Sequence, residues 1–125
     1  MNEPEPLEAR LERLTPEDLE KAFRVFTERL RAPEASYLQT CVRCGLCAEA
    51  CHYYRSDGEV ESIPARKLDR VASAFRAHCD SLGKLAPGLV GARRLDRKLA
   101  AAWVDSVFGR CSLCGRCSLN CTTGI

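Results

Sequence analysis

Long apolar runs are missing from this chain of 125 residues, and without a stretch of about 18 apolar residues no membrane-spanning helix is predicted. Missing too is the basic start and apolar core of a secretory signal. The opening Met1-Asn2-Glu3-Pro4-Glu5-Pro6 is acidic and broken by proline, so export is not expected. Aromatic residues make up only 6%, β-branched residues are few, and apolar–polar alternation is nowhere sustained, so no strand is predicted. No flavin fingerprint, Cys-Cys pair or convergent acid–base set occurs, which disfavours catalysis by this chain alone. Nor is there a large excess of either charge: the formal net charge is +2, with 29% charged residues, so neither nucleic-acid binding nor disorder is indicated.

What the chain has is cysteine, nine in all. Cys41, Cys44, Cys47 and Cys51 stand as C-x2-C-x2-C-x3-C, and Cys111, Cys114, Cys117 and Cys121 repeat that spacing. Gly45 and Gly115 follow the second cysteine of each run. This is the ligand run of a two-cluster [4Fe-4S] protein. An odd cysteine count without a signal argues for a reducing compartment, expected to be the cytoplasm, and for metal ligation over disulfides. Zinc is the competing ligand, but zinc sites usually use two C-x2-C pairs parted by a long spacer. Two oxidised cubanes, each about −2 with its thiolates, would take the formal charge of +2 to roughly −2.

The remaining pattern is helical, and the predicted fold class is all-α. Residues 1 to 14 read as a frayed end or short arm. Thr15-Pro16-Glu17-Asp18 is a helix start, with a hydroxyl N-cap, proline in the first turn and acids facing the dipole. Leu19, Ala22, Phe23, Phe26 and Leu30 give that helix one apolar face, and Pro33 is expected to end it. Residues 34 to 40 are expected to connect to the first cysteine run, and a short helix is predicted from Gly45 into Tyr53 and Tyr54. A middle helix begins near Pro64 with Leu68, Val71, Ala72 and Phe75 inward, residues 81 to 92 read as loop with at most one short turn, and a further helix runs from about Arg94 to Gly109. The predicted division is an N-terminal helical arm over 1–37 and a dicluster domain over 38–125.

Three thiolates spaced two residues apart can hold three corners of one cubane from a tight loop, while the fourth is carried off on the following turn. In the bacterial two-cluster arrangement that fourth cysteine ligates the other cluster. The assignment is therefore Cys41, Cys44, Cys47 and Cys121 for one cluster, and Cys111, Cys114, Cys117 and Cys51 for the second. Crossed wiring would close the domain on itself and make folding and cluster assembly one event. His52 and Thr122 stand where the bacterial pattern has proline, and His52 is read as an exposed polar residue with no ligand role. Cys79, outside both runs, reads as an inert, partly buried residue. Arg43, Arg110 and Arg116 lie in or beside the cysteine loops, where either charge compensation or plain solvation would account for them.

The stretches Cys41-Val42-Arg43-Cys44-Gly45-Leu46-Cys47-Ala48-Glu49-Ala50-Cys51, Ile63-Pro64-Ala65-Arg66-Lys67 and Arg110-Cys111-Ser112-Leu113-Cys114-Gly115-Arg116-Cys117-Ser118-Leu119-Asn120-Cys121 resemble the alpha-helical ferredoxin domain. That domain occurs in an iron-sulphur subunit of heterodisulfide reductase and in the iron-sulphur subunits of succinate dehydrogenase and fumarate reductase, and the resemblance covers about residues 38 to 125. It implies two [4Fe-4S] clusters relaying single electrons between a flavin or quinone partner and a second redox centre. The partners it implies are a flavoprotein or a Cys-Cys-Gly-type iron-sulphur subunit, with any membrane association made through a partner. Related polypeptides usually continue into domains with Cys-Cys-Gly motifs, so the chain is expected to be either a relay subunit or the front of a longer functional unit on another chain. The leading expectation is an electron-transfer subunit of an oxidoreductase. The alternative is the electron-input part of a catalytic iron-sulphur oxidoreductase acting on a disulfide or a 2-hydroxy acid.

Overall fold

Thr15 closes a capping box in the computed structural model, which describes residues 5–125: its hydroxyl accepts from the Asp18 amide at 3.2 Å while the Asp18 carboxylate accepts from the Thr15 amide at 2.9 Å. The helix so started, α2 (Pro16–Arg29), follows a short α1 (Leu7–Glu12). Pro33 does not end α2. Extended backbone at Leu30 and Arg31 stops it, and Pro33 lies in the first turn of α3 (Ala32–Thr40), where its missing N–H and fixed φ are no handicap. The expected connector over 34–40 is therefore helix.

After the first cysteine loop come α4 (Leu46–Ala50) and α5 (His52–Asp57), separated by extended backbone at Cys51 where one continuous helix was expected. A 3-10 turn over Val60–Ser62 leads into α6 (Pro64–Cys79), which agrees with the predicted middle helix. Residues 81 to 92 hold two short helices, α7 (Ser81–Leu85) and α8 (Pro87–Val90), rather than a loop. The Asp80 carboxylate starts the first by accepting from the Leu82 amide, and Pro87 opens the second. The helix expected from Arg94 begins later, at α9 (Arg97–Val104), because the Asp96 carboxylate caps it by accepting from the Leu99 amide at 2.7 Å. A π turn over Asp105–Gly109 follows, and α10 (Arg116–Leu119) comes after the second cysteine loop. There is no strand among the described residues.

α6 is the beam of the fold. Its Ala74, wholly buried, packs with Phe23 of α2 and Leu99 of α9, and Phe26, Leu95 and Trp103 surround them. One turn away Ala72 and Phe75 pack with Leu38 of α3, flanked by Leu30 and Leu68. Burying a leucine such as Leu99, 1% exposed, stabilises the fold by about 2 kcal/mol. Trp103 satisfies its indole N–H on the Arg70 carbonyl at 3.1 Å, tying α9 to α6. With its middle and end held in this core, α6 presents its first two turns to the cysteine loops.

Candidate metal centre

Both cysteine loops have the same backbone. Arg43 and Gly45 lie at φ 56° and 85°, and their counterparts Leu113 and Gly115 at 55° and 73°. Left-handed backbone on either side of the second cysteine curls each loop tightly. A residue with a side chain held there costs about 1–2 kcal/mol, and such strain gathers at functional sites. Gly45 and Gly115 then open α4 and α10, which pack against one another. Asn120 Nδ2 fastens this pair by donating to the Leu46 carbonyl at 2.6 Å.

Two cavities lie beside the start of α6. One, of about 320 Å³, is lined by Cys111, Cys114 and Cys117 of the second run and by Cys51 of the first. The other, of about 250 Å³, is lined by Cys41 and Cys47 of the first run and by Cys117 and Cys121 of the second. Pro64, Cys117 and Ser118 line both, so a single thickness of chain separates them. Cys44 does not line the smaller cavity; its sulphur lies 4.0 Å from the hydroxyl of Thr122, the residue after Cys121. Cys51 is buried, with its thiol directed at the Ser62 carbonyl 3.5 Å away, whereas Cys44 and Cys114 are exposed.

The thiols differ in how readily they lose a proton. Cys121 is pulled down to about 7 by the Thr123 hydroxyl, 3.2 Å away, and by the amides of Ile125 and Thr123. Cys114 is lowered chiefly by the Arg116 amide. Burial pushes Cys47 up, helped by the neighbouring Cys41 and Cys117. Donors aimed at a sulphur favour the thiolate, which is the form that binds metal.

Among the described residues no three His, Cys, Asp or Glu side chains converge on one ion position. Single-ion tetrahedral binding would need sulphurs about 2.3 Å from a common point. Thiols spread around a cavity wall instead suit a ligand that presents separate iron corners, and the all-thiol donor set is that of an iron-sulphur cluster. The donor chemistry and the cavities thus fit [4Fe-4S] clusters.

The other residues singled out by sequence fall as follows. His52 is exposed, stacked on Tyr53 with ring centroids 4.5 Å apart, and makes no approach to a thiol by hydrogen bonding. Cys79 is exposed, where partial burial was expected, and lines neither cavity. Arg43 pairs with Asp69 at 2.6 Å, and Arg110 pairs with Asp105 at 2.9 Å and Asp57 at 3.7 Å. Sequence reasoning missed Lys67, which lines the larger cavity; its place one turn into a helix that starts beside both loops was the available signal.

A family model described as a 4Fe-4S dicluster domain matches residues 37–125. Over 104 residues the chain is 40% identical to the Hdr-like menaquinol oxidoreductase iron-sulfur subunit of Archaeoglobus profundus, a match covering 83% of this chain and 18% of that protein. It is 36% identical over 89 residues to the Hdr-like menaquinol oxidoreductase iron-sulfur subunit 2 of Archaeoglobus fulgidus, covering 71% of this chain and 16% of that one. To one subunit of the dihydromethanophenazine:CoB--CoM heterodisulfide reductase of Methanosarcina acetivorans it is 28% identical over 99 residues, covering 79% of this chain and 23% of that protein. The chain therefore spans only 16% to 23% of the length of these curated relatives. No solved structure matches it. No described helix is long and apolar enough to cross a membrane.

Proposed function

The chain belongs to the 4Fe-4S dicluster domain family, and from that premise we propose that it holds two [4Fe-4S] clusters and relays single electrons within a larger oxidoreductase complex. The observation that carries this reading is the pair of thiol-lined cavities sharing a wall of Cys117, Ser118 and Pro64. Two sites so close permit an electron to pass between them inside the protein. The bound clusters supply one-electron transfer; the chain supplies their ligands, their orientation and their shielding from water.

In this reading Cys51, Cys111, Cys114 and Cys117 hold one cluster, supported by their common cavity. Cys41, Cys44, Cys47 and Cys121 hold the other, supported by the cavity that three of them line and by the approach of Cys44 to Thr122. Residues 1–37 form the helical arm and residues 38–125 the cluster domain. The partners are redox subunits, a flavoprotein or a Cys-Cys-Gly-type iron-sulphur subunit, met in the cytoplasm, with any membrane reached through a partner. The names of the relatives, from an Hdr-like menaquinol oxidoreductase and a heterodisulfide reductase, support such a setting. A second reading, the electron-input part of a catalytic iron-sulphur oxidoreductase, has one observation in its favour: the matched stretch is a small part of those longer relatives.

Iron and acid-labile sulphide analysis of anaerobically purified protein tests the first reading. About eight of each per chain is expected. Four of each, or zinc in place of iron, overturns it. Copurification with a flavoprotein or a Cys-Cys-Gly protein is expected besides, whereas substrate turnover by the isolated chain would favour the second reading.

A further inference from the structure

The first two turns of α6 face the two cavities with different chemistry. Toward the smaller cavity they present Ala65 and Leu68, and no charged side chain lines it. Toward the larger they present Lys67. Its ammonium is fixed in two ways: it donates to the Arg110 carbonyl, and it stands 5.5 Å above the centre of the Tyr53 ring. Arg110 and Tyr53 line the same cavity.

Among the described residues Lys67 has no carboxylate within ion-pair distance, which sets it apart from its cationic neighbours. Arg110 is offset by Asp105 and Asp57, and Arg116 is exposed, where water and salt screen it. Near the smaller cavity Arg43 is turned onto Asp69, which also takes Arg76 at 2.9 Å. Lys67 is half-buried, so its charge is less screened than that of a surface lysine.

We propose that Lys67 sets the two sites apart electrostatically, making the site of Cys51, Cys111, Cys114 and Cys117 the more easily reduced and hence the resting place of the relayed electron. The inference rests on the two-cluster reading above. When a one-electron donor protein delivers an electron, no bond forms or breaks and no proton leaves; the site gains one negative charge, and the Lys67 ammonium beside it favours that state. Local charge and solvent exposure are among the factors that set such potentials. Lys67 acts here as a positioning charge and takes no part as a ligand.

Redox titration of the intact chain, followed by electron paramagnetic resonance, tests this with Lys67→Gln and Lys67→Arg. In the wild-type protein the first signal to appear should be the one that Cys114→Ser alters. Lys67→Gln should weaken reduction of that site by about tenfold, or about 59 mV for a one-electron couple, and move the other site much less. Lys67→Arg should restore most of the difference. A first electron on the Cys41 site of the wild-type protein overturns the proposal even if Lys67→Gln fails to assemble. So does a Lys67→Gln variant with both signals present and both potentials unchanged. A wild-type protein with a single cluster signal and about four irons would instead defeat the two-cluster reading beneath it.

Discussion

Adding one methyl group should have opposite effects at two neighbouring glycines. At Gly83 in α7 a Cβ would lie 2.0 Å from the Arg76 carbonyl oxygen and 2.6 Å from its carbon, both backbone atoms at the end of α6. Ordinary contact begins at 3.4 Å, so α7 would have to move about 1.4 Å off the beam helix. Overpacking usually costs about 1–3 kcal/mol, and the unyielding backbone here puts Gly83→Ala near about 3 kcal/mol. At Gly88 in α8 a Cβ meets nothing within 4 Å and φ is ordinary, so Gly88→Ala should stabilise by about 0.5–1 kcal/mol through a less flexible unfolded chain. Anaerobic guanidinium unfolding of the cluster-loaded proteins, followed by far-ultraviolet circular dichroism, would report both. The packing argument is refuted if Gly83→Ala unfolds within about 0.5 kcal/mol of the wild-type protein, the range of an ordinary surface change.

Three further outcomes follow from the same geometry. Gly115→Ala meets no atom within 4 Å, so its penalty is torsional, about 1–2 kcal/mol at φ 73°, and visible absorbance should bleach faster in the presence of an iron chelator; unchanged bleaching would mean that the loop tolerates the strain. Leu99→Ala, in the centre of the α2–α6–α9 core, should destabilise by about 3 kcal/mol in the same unfolding assay, and a loss under about 1 kcal/mol would show that the core collapses around the gap. Burial, with Arg94 and Lys84 nearby and only Glu20 opposing, lowers the pKa of His78, whose ring lies 4.2 Å from that of Phe23. Because the unfolded chain takes up the proton first, this contribution is intact above about pH 6.5 and is lost as pH falls from there through the lower folded value. His78→Phe should therefore lose less stability than the wild-type protein between about pH 7 and 5; parallel curves would contradict the assignment.

The cysteine spacing made the site legible because thiolate ligands must recur at fixed intervals, and the middle helix was legible because Leu68, Ala72 and Phe75 repeat at helical steps. What stayed hidden was decided by context. Pro33 reads equally as the end of one helix or the start of the next, and extended backbone at Leu30 and Arg31 resolves it. Gly83, Pro87 and Gly88 suggested a loop; instead the close approach at Gly83 and the turn at Pro87 serve two short helices whose stability comes from packing on α6 rather than from propensity. The break at Cys51 also left no local trace, since it follows from where the thiol must point. Lys67 was invisible as a site residue because its meaning depends on which cavity its helix face meets.

The most direct measurement of the central claim is the paramagnetic resonance spectrum of reduced Cys121→Ser beside those of Cys44→Ser and Cys114→Ser. Crossed ligation predicts that Cys121→Ser changes the signal that Cys44→Ser changes and leaves the Cys114 signal intact. If Cys121→Ser instead alters the Cys114 signal, each run holds its own cluster and the shared two-site account is wrong.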